Sequence, residues 1–282
     1  MTNIQLYNKV CFENSKTITE RYSTSFSSAI RLLHPSMHSA IHGIYGFVRL
    51  ADEIVDTFHE SDKETLLAEF KIETYKAIAQ GISLNPVLHA FQITVNKYKI
   101  EHHLIEAFFK SMEMDLHKTK YETMDEYNDY IYGSAEVVGL MCLNIFCNGD
   151  KEKYNQLENS ARALGAAFQK INFLRDVKDD FGQLNRTYFP NVNFDYLDDE
   201  TKQKIVADIE IDFKNGLKGI GNLPIGSRFG VYVAYKYYYS LFNKIKRLPT
   251  KVITQQRVRI PDYTKVYIIL KSFFRYKLQM MY

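Results

Sequence analysis

The sequence predicts an all-α chain folded as a single domain, and three observations carry that expectation. Six prolines, Pro35, Pro86, Pro190, Pro224, Pro249 and Pro261, fall where the helical apolar spacing breaks, leaving long uninterrupted segments between them. Helix-start signals recur: Ser61 with Glu64 and Thr123 with Glu126 match capping boxes, and Asn85 before Pro86 reads as an N-cap before a proline at the first helical position. No β-hairpin or βαβ pattern, Gly/Ser-rich linker, low-complexity tract or internal repeat competes with that reading. The apolar period then places helices at roughly 4–20, 37–57, 62–80, 86–100, 102–118, 124–147, 151–181, 199–219, 226–247 and 262–279.

Length and charge constrain the class more than the chemistry. A 282-residue chain that is 46% hydrophobic can bury a substantial core, and a net charge of +3 gives the whole molecule no marked preference for polyanions. Three cysteines, Cys11, Cys142 and Cys147, are odd in number and lack CxxC spacing, which argues against a disulfide framework or structural zinc and for a reducing cytoplasm. Met1 to Phe12 lacks a basic segment followed by an apolar run, and the longest nearly apolar stretch, Val137 to Cys147, is too short to span a bilayer. A soluble or peripheral protein is expected.

Two acidic elements stand out. On the helix ending near Thr57, Tyr45, Arg49, Asp52, Glu53 and Asp56 follow steps of three and four and share a face. The preceding residues, Ala40 to Val48, are apolar and small, which suits a helix inside a bundle, where clustered carboxylates need cations. About 120 residues later, Gln169, Asn172, Asp176 and Asp180 repeat that spacing, with Arg175 and Asp179 beside them and the small run Ala163-Leu164-Gly165-Ala166-Ala167 before them. Magnesium takes oxygen ligands, keeps several waters, and is bound through one or two carboxylates plus substrate phosphates. Two facing aspartate pairs would supply that arrangement; two unrelated acidic surfaces are the plain alternative. His38 and His42 are spaced by four, but Ser39 stands where a zinc-protease helix needs Glu, so both are read as structural.

The wording of these elements resembles a known family. Asp52-Glu53-Ile54-Val55-Asp56, preceded by Tyr45 and Arg49, and Gln169 to Asp180 resemble the two aspartate-rich motifs of squalene and phytoene synthases. Ser23-Thr24-Ser25-Phe26-Ser27, Tyr132-Gly133-Ser134-Ala135-Glu136-Val137-Val138-Gly139, Arg186-Thr187-Tyr188-Phe189-Pro190 and Arg257-Val258-Arg259-Ile260-Pro261 resemble further segments in the family's order, and together they cover most of residues 20 to 260. Glu136 departs from the small uncharged residue usual there, which bears on the local shape of the cavity wall.

The resemblance implies one isoprenoid synthase helical bundle over residues 1–282, built around a central cavity. It implies Mg²⁺, with Mn²⁺ as substitute, held by Asp52, Asp56, Asn172, Asp176 and Asp180. Prenyl diphosphates would be positioned by Ser23, Ser25, Phe26, Arg49, Gln169, Asn172, Arg175 and Tyr188, with Tyr45 and Tyr132 facing a carbocation. Aromatic faces attract positive charge without trapping it as a carboxylate would. The closest wording is that of bacterial phytoene synthases, so the expected reaction is head-to-head, 1′-1 coupling of two geranylgeranyl diphosphates through a cyclopropyl diphosphate to phytoene, in carotenoid biosynthesis. No glycine-rich dinucleotide fingerprint is present and no NADPH is expected. Squalene or dehydrosqualene synthesis from farnesyl diphosphate, a class I terpene cyclase and a non-catalytic helical assembly protein are the alternatives.

From Lys236 to Tyr282 eleven Lys or Arg residues face a single acid, Asp262, and are interleaved with aromatics. No nucleic-acid motif accompanies them, so peripheral contact with the inner face of a membrane is expected over a merely solvated face. A monomer or weak dimer is expected.

Overall fold

The computed structural model describes residues 1–184, 187–190, 192 and 197–278, the side chains of 179–184 excepted. Among them the helices are α1 (Asn3–Tyr22), α2 (Thr24–Ile30), α3 (Pro35–Asp56), α4 (Lys63–Gln80), α5 (Pro86–Tyr98), α6 (His102–His117), α7 (Met124–Ile131) and α8 (Val137–Cys147). They continue with α9 (Lys151–Leu184), α10 (Asp199–Ile220), α11 (Ile225–Arg247), α12 (Thr250–Gln255) and α13 (Asp262–Lys277). Among the described residues the sole β feature is an isolated bridge between Lys120 and Thr187.

Every helix expected from the periodicity is present, and the prolines mark starts. Pro35 and Pro86 lie in the first turns of α3 and α5, while Pro224, Pro249 and Pro261 are the N-cap residues of α11, α12 and α13. Asn85 caps α5 as expected, its Oδ1 accepting from the N–H groups of Val87 and Leu88. Two expectations need correction. Asp62, not Ser61, caps α4, accepting from the Thr65 N–H at 3.1 Å. Thr123 does cap α7, but the Glu126 carboxylate turns back to the Glu122 N–H at 3.0 Å, one residue before the N–H a capping box uses. The short helices α2 and α12, seven and six residues, escaped the sequence reading because neither is long enough to display a 3.6-residue period.

Between α7 and α8 the backbone takes one π-helical turn, Tyr132–Glu136, so the three segments form one continuous rod from Met124 to Cys147. Its 24 residues make it long and apolar enough to cross a membrane, which the stretch from Val137 alone is not, yet half of its apolar length is buried inside the fold as a core helix would be. Here backbones approach closely. A Cβ on Gly133 would stand 2.4 Å from the Ala107 carbonyl oxygen, and one on Gly165 would stand 2.7 Å from that of Ala135. Glycine at both positions lets α6 and α9 close on the π turn from either side.

Three aromatic clusters fill the interior. Phe47 stacks on Phe91 at 3.9 Å and meets Phe70, Phe108 and Phe109, tying α3 to α4, α5 and α6. Phe173 of α9 stacks on Tyr188 at 4.0 Å, and Tyr188 in turn on Tyr121 and Tyr130. Phe213 joins α10 to Tyr235, Tyr239 and Phe242 of α11. Two buried lysines find acceptors: Lys170 of α9 reaches Asp208 at 2.5 Å and Asp212 at 2.7 Å on α10, and Lys202 donates to the carbonyls of Lys246 and Leu248 at the end of α11. Cys11, Cys142 and Cys147 are free thiols.

Candidate active site

Inside the bundle lies a cavity of about 240 Å³, walled by α2, α3, the π turn, α8, α9, α10 and α11. Its lining is apolar apart from Ser134, Ser160, Gln169 and the thiol of Cys142, and among the described residues no charged side chain contributes. Burial pushes the Cys142 thiol up to about 12, so it is a neutral wall and not a nucleophile. The small run before the second acidic stripe forms part of this wall through Leu164 and Gly165, as its composition suggested.

Both acidic stripes continue cavity-lining stripes. On α3, Val48 lines the cavity and Asp52 and Asp56 follow one and two turns later; on α9, Phe168 and Gln169 line it and Asn172 and Asp176 follow. The two helices are tied at one level, because Tyr238 of α11 stacks on Phe168 at 3.9 Å and also lies close enough to Tyr45 to influence its phenol. Tyr45 meets Phe26 of α2, ring centroids 5.4 Å apart, and its hydroxyl bonds with Ser23. Burial pushes that phenol up to about 12. Tyr45 thus presents a neutral aromatic group at the boundary between apolar cavity and acidic end.

At the acidic end the carboxylates meet guanidinium groups. Burial first, then the Asp56 carboxylate and more weakly Asp115, push the Asp52 carboxyl up to about 8, against the pull of Arg49. Arg49 pairs with Glu53, stands 4.0 Å from Asp52 and lies over the Tyr22 ring at 4.3 Å. Asp176 is bracketed by two guanidiniums, Arg175 at 2.5 Å and Arg257 at 2.7 Å. Arg175, expected to face phosphate, is therefore folded onto its neighbouring carboxylate here. Gln169 donates to Ser134 at 3.4 Å and accepts from the Asn172 amide at 3.4 Å, while the Asn172 Oδ1 is buried without a hydrogen-bond partner. An orphaned buried carbonyl oxygen on the stripe of Asp176, and a carboxyl driven towards neutrality by burial and then by an adjacent carboxylate, are what a hard cation would relieve. The donor set is all oxygen, which is the chemistry Mg²⁺ takes, although among the described residues no three acidic, histidine or cysteine side chains stand close enough together to hold a metal ion.

Some expected site residues are placed less directly. Ser23 caps α2, accepting from the Phe26 N–H at 3.2 Å, so the structural alternative for this hydroxyl holds alongside its bond to Tyr45. Ser25 sits in the first turn of α2, and Phe26 lines the cavity. Tyr132 lies beneath the Arg162 guanidinium at 5.2 Å, while Ser134 and Ala135 of the same turn reach the wall. Tyr188 is buried in the stack behind Phe173, a support for the second stripe. Glu136 pairs with Arg162 at 2.6 Å and is absent from the cavity wall, which resolves the effect of its unusual charge. His42 bonds to Thr19 and His38 to the Leu33 carbonyl, both structural as read. The side chains of Asp179 and Asp180, and Arg186, lie outside the described residues.

Comparisons with known proteins fit this geometry. The family model described as Squalene/phytoene synthase matches residues 19–264. The chain belongs to the squalene/phytoene synthase family. Among family relatives, phytoene synthase of Arthrospira platensis is 27% identical over 280 residues, covering 90% of each chain. Phytoene synthase 1 of Solanum lycopersicum is 27% identical over 252 residues, 83% of this chain but 61% of that protein's length. Of solved structures, a dehydrosqualene synthase in complex with ligand superposes with a TM-score of 0.82 at 19% identity over 97% of this chain and 98% of the other. A squalene synthase from Alicyclobacillus acidocaldarius gives 0.73 at 21% over 86% and 95%, which again shows the shared fold. These family names belong to prenyltransferases.

Within the family frame, two residues escaped the sequence reading of the site. Asp115 of α6 carries a carboxylate close to Asp52 and accepts from Tyr130 at 2.8 Å, but it lies on a helix with no acidic stripe to betray it. Arg257 was noted as part of a basic segment, yet an irregular stretch between α12 and α13 offers no periodicity from which to aim its side chain at Asp176.

Proposed function

We propose that this chain couples two allylic prenyl diphosphates head to head, 1′-1, and that the pair is geranylgeranyl diphosphate, giving phytoene through a cyclopropyl diphosphate. The observation carrying the proposal is the continuity of an uncharged apolar cavity with two oxygen-rich stripes at one end. Such a cavity takes hydrocarbon tails, and the stripes take diphosphates. Curated relatives 25–28% identical are named phytoene synthases, which supports the 20-carbon substrate.

Mg²⁺ bound by Asp52, Asp56, Asn172, Asp176 and Asp180 would neutralise the charge that develops on a departing diphosphate. The remaining work falls to the chain. Arg49, Arg175 and Arg257 exchange their carboxylate partners for phosphate oxygens as substrate enters, Arg49 guided by the Tyr22 face. Gln169 and Asn172 orient the diphosphate end. Tyr45 and Phe26 present rings to the allylic cation, and the cavity wall excludes water that would quench it. Two diphosphates and two protons leave per pair of substrates, so no electron donor is required. Among the described residues no ionised side chain lines the cavity, and a departing diphosphate oxygen serves as the base for those protons.

Incubation with Mg²⁺ and geranylgeranyl diphosphate should yield phytoene without NADPH. Accumulation of the cyclopropyl diphosphate, with hydrocarbon formed only after NADPH is added, would replace this reading with the squalene-type reaction. The size of the cavity favours a second reading: about 240 Å³ is smaller than the ~300–1,000 Å³ usual for ligand pockets and suits shorter tails. Dehydrosqualene from farnesyl diphosphate in the same assay, with no phytoene, would establish it.

A further inference from the structure

The last helix is amphipathic with its apolar face outward. On α13 the residues Tyr263, Val266, Tyr267, Leu270, Phe273 and Phe274 follow steps of three and four, and all are between 45% and 77% exposed. The face turned to the protein is narrow, and only Ile268 and Ser272 are buried, against Val233 and Tyr237 of α11. A soluble helix buries its apolar stripe; this one displays it.

Alongside that stripe, α11 and α13 enclose a cleft of about 540 Å³. Among the described residues five cations line it, Lys236, Lys244, Arg247, Lys271 and Arg275, and no carboxylate does. Lys236 is half-buried over the rings of Tyr232, Tyr235 and Tyr239; burial, and then the like charges of Arg275 and Lys271, hold its ammonium below its usual range. The acid of α13, Asp262, is taken by Lys265 at 3.0 Å. Crowded cations without an acid gain most from a polyoxygen anion.

We infer that this surface docks on an anionic bilayer: the cleft between α11 and α13 receives a lipid phosphate headgroup while the apolar face of α13 enters the acyl boundary. The two features are adjacent, Tyr267 belonging to both, which matches a lipid with its charged head and greasy tail side by side. A second copy of the chain is the less suitable occupant, since a two-fold pairing through this face would bring two acid-free basic clefts together. Lys265 also donates to Thr24 of α2 at 2.8 Å, so the docked helix rests on the element carrying Ser23 and Phe26. A water-insoluble product would then be released beside the bilayer, a consequence that rests on the proposed function; the docking itself does not.

The test uses the full chain without substrate, so its outcome is separate from that of the reaction. Co-sedimentation should be strong with vesicles containing about a third phosphatidylglycerol, weak with phosphatidylcholine alone, and should fall as salt screens the attraction. Lys271→Glu with Arg275→Glu, and separately Leu270→Ser with Phe274→Ser, should each reduce binding at least tenfold while thermal unfolding stays within a few degrees. Equal binding to both vesicle types, or unaltered binding in either variant, overturns the inference. So does inorganic diphosphate that binds the cleft and displaces the protein from vesicles, which would make it a soluble-anion site. A concentration-dependent dimer abolished by Leu270→Ser with Phe274→Ser, without vesicle binding, would make the face a self-association surface.

Discussion

Asp52 and Asn172 are both set against their surroundings, Asp52 by burial and then the adjacent Asp56 carboxylate, which raise its carboxyl to about 8, and Asn172 by a buried carbonyl oxygen with no donor. Spacing alone put each on the same face as its stripe, because steps of three and four along a helix determine a common side whatever surrounds it. Spacing could not show that Arg175 and Arg257 would close on Asp176, since that depends on where a separate segment crosses. His42 shows the same limit from the structural side. Thr19 donates its hydroxyl proton to the Ser15 carbonyl at 2.8 Å, so its oxygen accepts from His42 and places a proton on Nδ1. Burial lowers that ring from 6.5 to about 4, so in the window between those values the unfolded chain binds a proton that the folded chain refuses. Stability should therefore fall as pH drops from 6.5 towards 4, by at most about 3 kcal/mol from this group. Urea midpoints measured across that range should show a shallower acid limb in His42→Gln; parallel limbs would reject the assignment. At Phe47, fully buried among four phenyl rings, truncation to Ala should cost about 3–5 kcal/mol in the same measurement at pH 7.

α9 organises the molecule at the next scale up. Its 34 residues extend about 51 Å, carry one cavity wall and the second acidic stripe, and pack on α8 and α10. The long helices were legible because each spans several turns of apolar repeat; α2 and α12 were not, because local sequence of six or seven residues leaves the period undetermined. The π turn was likewise invisible, since it adds one residue to a helix whose composition does not change. Its contact with α9 makes a specific demand at Gly165. A methyl group there would meet the Ala135 carbonyl, backbone against backbone, and neither partner can rotate away. Gly165→Ala should lower stability by about 1–3 kcal/mol and shift the Ser134–Gln169 contact. Thermal unfolding with an activity assay reads both effects, and an unchanged melting temperature would show that the helices are free to separate.

For the whole molecule, the proposed function would give the substrate a direction, with diphosphates at the acidic end and tails running towards the start of α9. Leu157, buried in the cavity lining, lies twelve residues before Gln169, about 18 Å along that helix. Leu157→Ala should shift the kcat/KM ratio towards geranylgeranyl over farnesyl diphosphate by about tenfold in direct competition, and no shift would place the chain-length limit elsewhere. The fold class followed from the sequence; the cavity's size did not, because volume depends on how side chains from α2, α3, α8, α9, α10 and α11 interdigitate. The joint action of the two acidic stripes is the central claim. It is tested most directly by Mg²⁺-dependent diphosphate release from prenyl diphosphate in the wild type, Asp52→Asn and Asp176→Asn, with circular dichroism to verify folding. Each variant should keep its helical spectrum and lose at least a hundredfold in kcat; turnover near wild type in either, or full wild-type activity in excess chelator, would contradict the account.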